Sequence, residues 1–394
     1  MAAAPARAAR FSLADRLFNP GRVAGLAARL AAADPAFPAP RFTDEAVAPF
    51  PGLGLKQRIA HIAATLDRHL PADFDAAAAL VLRALPPPLD PGRGDGDFGD
   101  FIFAPLGEWA AARADDGTLP RVLDLIGALT QRFSMEFAIR PLIARWPERT
   151  LARLHDWAGH PHYHVRRLVS EGTRPRLPWA PRTGLPPAAT LPLLDRLHAD
   201  PARYVTRSVA NHLNDIARAD PALAVAAVGC WRAAGRQTPA ELDWIARHAL
   251  RTLVARADPG ALAALGLDAA PALRVTRLDL AATAVPIGGS LAFSLGLAAD
   301  RPVRTRLDYT IRFARPGGRE ATRVYRLATL DLAAGQTATL GKRRRLPADA
   351  TTLRLYPGRH VLAIRASGVV LATAGFDLLA AAEGAADGAV AGAP

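Results

Sequence analysis

Apolar residues recur at three- and four-residue intervals through most of the first 270 positions and then give way to alternation. Between Phe11 and Ala33 the helical spacing of Leu13, Leu17, Val23, Leu26 and Leu30 is interrupted at Asn19-Pro20, which predicts two short helices. Pro35 to Pro51 reads as a proline-rich connection. Leu55–Leu70 and Asp73–Leu85 read as helices, with Pro86-Pro87-Pro88 as a hard stop. Asp90 to Asp100, rich in Gly and Asp, reads as a loop. Its acids lack the closing glutamate of an EF-hand, which argues against a calcium loop.

From about residue 105 a period appears. Val165, Val205 and Ile245 are 40 positions apart, as are Arg167, Arg207 and Arg247, and Val169, Val209 and Ala249. Asp200-Pro201, Asp220-Pro221 and Asp258-Pro259 punctuate helix starts. Two helices per 40 residues predict a HEAT-type α-α superhelix, whose units share a core and leave one face for binding. The same register aligns Glu171 with Asn211 and Arg251. On a helix Tyr204–Arg218, Arg207, Asn211 and Asp215 form a stripe, so Glu171, Asn211, Asp215, Arg207, Arg247 and Arg251 are expected to line one groove.

Beyond Pro271 the period becomes two. Leu273–Ala281, Ser290–Leu297, Thr305–Ala314, Arg323–Leu332, Gln336–Leu340, Thr352–Tyr356, His360–Ala366 and Val369–Leu378 read as short strands separated by Gly-rich turns, which predicts an immunoglobulin-like β-sandwich. Lys342-Arg343-Arg344-Arg345 is placed in a loop between two of them, either solvated or touching a phosphate backbone. The expected organisation is a disordered tail over 1–10, a helical repeat domain over 11–270, a sandwich over 271–379 and a disordered tail over 380–394.

Charge narrows the class of partner. The chain has 49 Lys+Arg against 36 Asp+Glu, a net +13, and only Lys56 and Lys342 are lysines. That balance suits a polyanion through counterion release. Cys230 is the single cysteine, which excludes internal disulfides and cysteine-based zinc fingers; it is expected to be buried in a protein of the cytoplasm. No signal-peptide pattern and no run of about 18 apolar residues is present.

Candidate chemistry concentrates between Gln131 and Trp179. In the run Phe133 to Arg140 a helix would align Arg132, Glu136 and Arg140 in one stripe. In the run Val165 to Trp179, Glu171 falls in the last turn of a helix that Gly172 ends as a C′ glycine. A carboxylate there is disfavoured by about 0.3–1 kcal/mol, which marks a local rule broken where function or an Arg167–Glu171 pair compensates. Pro175 and Pro178 are expected to hold Trp179 in one place. Trp109, Trp146, Trp157, Trp231 and Trp244 are assigned to packing. His155, His160, His162 and His164 resemble a chelating cluster but lack an acid or cysteine at ligand spacing, so capping or phosphate contact is the more economical role.

Phe11–Asn19, Met135–Pro141, the string Ser170-Glu-Gly-Thr-Arg-Pro-Arg-Leu-Pro-Trp179 and Ser208–Asp215, in a chain ordered as helical repeats then sandwich, resemble the AlkC-like family of DNA alkylation repair glycosylases. The resemblance implies excision of cationic bases such as 3-methyladenine and 3-methylcytosine from duplex DNA, with no base-flipping pocket, metal or organic cofactor, by a monomer. It implies Glu136, Glu171 and Asp215 as acidic catalytic positions and Trp179 as the aromatic one. Arg140, Arg167, Arg174, Arg176, Arg207, Asn211, Arg247 and Arg251, with Lys342, Arg343 and Arg344, are then the expected DNA contacts. Two other readings stay open at this point: a non-catalytic repeat scaffold for nucleic acid or an acidic protein, and a metal-dependent hydrolase built on the histidines.

Overall fold

The computed structural model describes residues 12–92, 95, 97–269, 271–348 and 353–381. The expected tail over 1–10, and most of the one from 380 onward, lie outside them.

The helical half opens as the spacing predicts. α1 (Leu13–Leu17) is capped by Ser12, and α2 (Pro20–Ala33) begins with Asn19 accepting from Arg22 N and proline at the first turn. The connection over 35–51 differs from expectation. It contains α3 (Ala39–Val47), whose Phe42 and Ala46 are buried, because prolines at a helix start are tolerated where no donor is required. α4 (Leu55–His69) and α5 (Phe74–Ala84, capped by Asp73) follow, then α6 (Ala104–Ala112), α7 (Leu119–Thr130), α8 (Ile139–Arg145) and α9 (Pro147–Trp157).

The 40-residue period is carried by α10 (Tyr163–Gly172), α12 (Arg203–Ile216) and α14 (Pro239–Ala249), with α11 (Pro187–Leu197) and α13 (Pro221–Ala234) between them. α12 packs against both α10 and α14. All six register positions, Val165, Val205, Ile245, Val169, Val209 and Ala249, are 0% exposed, so the period records a shared core. Of the tryptophans assigned to packing, Trp109, Trp157 and Trp231 are buried and Trp146 and Trp244 half-buried. Cys230 is exposed instead of buried, because α13 turns Ala224, Ala227, Val228 and Trp231 inward and leaves residue 230 outside that stripe. α15 (Arg251–Ala255) and α16 (Pro259–Ala264, capped by Asp258) complete the helices.

Strands start at Leu273. β1 (Leu273–Leu280), β3 (Ser290–Ala299) and β6 (Thr337–Arg345) form one sheet. β2 (Ala284–Pro286), β8 (Val369–Leu379), β7 (Gly358–Ala366), β4 (Val303–Ala314) and β5 (Glu320–Leu332) form the other, in that order. Inward residues such as Leu291, Leu295, Leu307, Ile311, Leu362, Ile364 and Phe376 build the sandwich core. Two expectations fail here. Leu353–Tyr356 forms no strand, and Lys342–Arg345 is no loop: it continues β6 against Ser290–Phe293 of β3. Backbone pairing keeps the charged run extended on an edge strand, where Lys and Arg are at home.

The chain divides into two compact units, the described parts of Met1–Ala219 with Cys230–Ala249 and of Asp220–Gly229 with Leu250–Pro394. Within the second, Arg365 Nη2 donates to Ala255 O at 3.2 Å, and a Cβ on Gly368 (φ 90°) would meet Ala257 Cβ at 2.5 Å. The last helical turns and the sandwich are therefore closely fitted to each other. No described helix is long and apolar enough to cross a membrane.

Candidate active site

Glu136 is not helical. Residues 131–138 form the turn between α7 and α8, pinned where Phe133 bridges to Gly99, so Arg132, Glu136 and Arg140 make no stripe. The turn aims Glu136 at α10: its Oε2 accepts from Ser134 Oγ and from Arg167 Nη1, both at 2.7 Å. Arg167 continues the chain of charges, with Nη2 3.7 Å from Glu171 Oε2 and its guanidinium 4.5 Å from the Tyr204 ring centroid. Burial alone would lower its pKa, but Glu136 and Glu171 reverse that and hold it raised, so it stays charged.

Glu171 sits at the end of α10, where the helix dipole disfavours it, and the structure shows the compensation. Arg174 Nη1 donates to Oε1 at 2.7 Å and Ser208 Oγ to Oε2 at 2.6 Å. Burial pushes the Glu171 pKa up, yet Arg167, Arg174 and the Ser208 hydrogen bond outweigh it, leaving the carboxyl below its ordinary range. Arg174 Nε then donates to Asp215 Oδ2 at 3.0 Å. One continuous network thus runs Glu136, Arg167, Glu171, Arg174, Asp215. Both Glu171 oxygens are engaged, whereas among the described residues nothing hydrogen-bonds Oε1 of Glu136 or Oδ1 of Asp215. Three acids are thus interleaved with two arginines, an excess of one negative formal charge in the group.

Gly172 does not act as a left-handed C′ residue. It is the last residue of α10, and a Cβ there would lie 2.6 Å from Ile139 Cγ2, so the glycine lets α10 approach α8. Arg140 on α8, expected at DNA, is 2% exposed and donates to Gly172 O and Arg174 O from Nη1 at 2.9 Å and to Pro181 O from Nε at 2.9 Å. It therefore organises the loop after α10. Leu177 anchors that loop from inside, and Arg176 and Trp179 project outward. Trp179 is 71% exposed with φ 63°, a conformation costing a non-glycine residue about 1–3 kcal/mol.

Arg167 and Arg174, also expected at phosphates, are instead consumed inside the acid network. Among the remaining expected contacts, Arg207 pairs with Asp95, and Asn211 Oδ1 meets His248 Nε2 at 2.8 Å. Arg247 is exposed on α14, Arg251 lies in the second unit on α15, and Lys342, Arg343 and Arg344 lie exposed along β6. Arg344 stacks 4.2 Å over Tyr325.

Two of the histidines serve the start of α10. His162 caps α10 by accepting from His164 N; its Nε2 reaches Leu89 O at 2.9 Å, and His164 Nε2 reaches Asp97 O at 3.0 Å. Capping is thus the role of His162, and the loop before α6 is strapped to α10. Gly99 (φ 75°) allows that course, since a Cβ there would lie 1.9 Å from Arg132 O. Among the described residues no group of three or more His, Cys, Asp or Glu is placed to hold a metal.

Sequence reasoning missed Ser134, Ser208 and Tyr204, which complete the network, and a cavity of about 290 Å³ lined by Trp179, Phe137, Phe101, Lys56 and Glu108 among others. Hydroxyls carry no pattern of their own in a sequence, so only their proximity to Glu136 and to the 40-residue register could have marked them.

These features have counterparts among known proteins. Residues 274–380 match the family model described as the C-terminal Ig-like domain of the uncharacterised protein YhaZ. Over 358 residues the chain is 30% identical to the uncharacterized protein YhaZ of Bacillus subtilis (strain 168), covering 90% of this chain and 96% of that one. The solved Pseudomonas fluorescens alkylpurine DNA glycosylase AlkC, bound to DNA containing an abasic site analog, is 30% identical with a TM-score of 0.83, over 93% of this chain and 99% of that one. The chain belongs to the AlkC-like family, built as helical repeats followed by an immunoglobulin-like domain.

Proposed function

We propose that this protein is a DNA glycosylase that excises cationic N-alkylated bases, 3-methyladenine and 3-methylcytosine among them, from duplex DNA without a base-flipping pocket. Residues 11–270 carry the catalytic groove, and the enzyme works as a monomer in the cytoplasm, on the nucleoid. The observation that carries this reading is the network itself: three carboxylates paired with Arg167 and Arg174, two of them with an oxygen that nothing else among the described residues engages. Likeness to the Pseudomonas alkylpurine glycosylase supports the same reading.

The chemistry follows from charge. An N3-alkylated adenine is already positive, so the base leaves without protonation, and what remains is positive charge growing on the sugar. A carboxylate about 4 Å from that charge contributes on the order of 4 kcal/mol at an effective dielectric of 20, or about three orders of magnitude in rate. Glu136 and Asp215, each with an oxygen to spare, stabilise the sugar cation and orient water; general-base assistance adds about 10²–10⁴. Glu171, engaged at both oxygens, holds Arg174 toward Asp215 and adds its own charge to the field. Trp179 over the sugar or base contributes a cation–π attraction of about 0.5–2 kcal/mol. Phosphate contacts fall to Arg176, Arg207, Asn211, Arg247, Arg251, Lys342, Arg343 and Arg344.

Chromatography of bases released from methylated duplex DNA tests the proposal. The wild-type chain is expected to release 3-methyladenine or 3-methylcytosine, and Glu171→Gln to keep lesion binding while losing most of the rate. DNA binding with a steep salt slope and intact lesions after prolonged single-turnover incubation would leave only a non-catalytic scaffold.

A further inference from the structure

Apart from Trp179, the residues lining one cavity have no part in the chemistry above. It lies between α4, α6, α8 and the loops bearing Phe137 and Trp179, and eight of its ten lining residues are apolar or aromatic. Phe101, Phe137 and Trp179 supply three rings. Polar chemistry enters at two points. Lys56 Nζ stands 5.1 Å over the Phe137 ring, and the half-buried Glu108 carboxyl has neither a hydrogen bond nor an ion pair among the described residues. Burial raises the Glu108 pKa against the pull of Lys56, so its carboxyl gains a proton more readily than most. A volume of about 290 Å³ stands at the small end of ligand cavities, about 300–1,000 Å³, which suits one ring system and not a nucleotide with its sugar and phosphate.

We infer that this cavity is a product site for the excised base, a flat, neutral N-alkylated heterocycle that stacks on Phe137 and Trp179 and hydrogen-bonds Glu108. The inference rests on the glycosylase reading. Charge gives the direction of travel. When the bond from C1′ to the base nitrogen breaks, both electrons stay with the base, which loses its positive charge. The water oxygen bonds C1′ and its proton passes to a groove carboxylate and on to solvent. The neutral base is no longer attracted by Glu136, Glu171 and Asp215, while the aromatic walls of the cavity favour a flat ring leaving water. Phe137, adjacent in sequence to Glu136, joins the two places.

Titration calorimetry of the full chain with free 3-methyladenine tests this directly. Saturable one-site binding is expected, weakened at least tenfold by Ala60→Phe, which fills the cavity from its rim on α4, and by Glu108→Gln, which removes the protonatable carboxyl. Single-turnover excision by Ala60→Phe is expected to match the wild type, which also shows that the variant folds. Absence of saturable binding, or equal binding by wild type and a folded Ala60→Phe, overturns the site. Base release without free-base binding rejects the product site alone; binding without release from the wild type rejects the glycosylase reading and leaves a heterocycle site.

Discussion

Arginine does opposite work in two regions of this molecule. In the helical unit Arg140 and Arg174 are buried and Arg167 half-buried, and every one is bonded to carbonyls or carboxylates. Along β6, Lys342, Arg343, Arg344 and Arg345 are exposed on a sheet edge, and only Arg344 has a ring beneath it. The same residue type therefore positions acids in one place and offers long-range attraction in the other. Net charge alone cannot separate these roles, since both contribute to +13. Burial separates them: a buried guanidinium must have partners, and an exposed one is screened by salt.

Removing one buried cation is the strongest way to break the contrast. Arg174→Met leaves Glu171 and Asp215 facing each other without their shared counter-ion, and is expected to destabilise the helical unit by about 3–5 kcal/mol in urea unfolding. Arg343→Ala on β6, by contrast, should shift the midpoint by less than about 0.5 kcal/mol. A similar loss from both would mean that burial is the wrong criterion. Glu136→Gln keeps the shape and the Ser134 contact while removing charge; base release is expected to fall about a thousandfold with little change in melting temperature. Gly172→Ala sharpens the steric side, since a methyl 2.6 Å from Ile139 Cγ2 must push α10 from α8, an overpacking loss of about 1–3 kcal/mol in the same unfolding assay.

Acid probes the buried network as a whole. Burial lowers His212 to about 3 and His164 to about 4, from 6.5. In each case the unfolded chain takes the proton first, so the stability is complete above about pH 6.5 and is lost as pH falls toward those values. Glu171, also depressed, adds to the decline below its ordinary 4.5. Thermal melts from pH 7.5 to 4.5 should show a falling transition, and a flat profile would contradict the buried, neutral histidines. The smallest effect belongs to the edge strand. Lys342→Ala with Arg343→Ala should leave melting unchanged and, if both touch phosphate, reduce the slope of log K against log salt by about 0.9 for each.

Much of this was legible in the sequence, and the failures share one cause. Val165, Val205 and Ile245 announced the repeat because a stacked core forces burial at a fixed interval. That register set Glu171 and the stripe bearing Asp215 toward one groove, and the two do share Arg174. Glu136 was singled out in its run, but on a helix it does not occupy: Met135 to Ile139 carries helix-compatible spacing, and pairing of Phe133 with Gly99, 34 residues earlier, breaks it. Lys342–Arg345 looked like a loop because charge hides alternation, while β3 supplied the pairing that kept it a strand. Arg140 was misassigned for the same reason. Nothing near it in the chain reveals that carbonyls 32, 34 and 41 residues away will close around it. Long-range partners decide these cases, and a local pattern does not contain them.

The grip of Arg140 has an evolutionary consequence. It takes hold of main-chain oxygens, which all twenty amino acids possess, and so dictates the path of the segment bearing Trp179 without dictating its composition. A substitution at Arg176, whose side chain points outward, can therefore change what the segment touches while the platform beneath keeps its course.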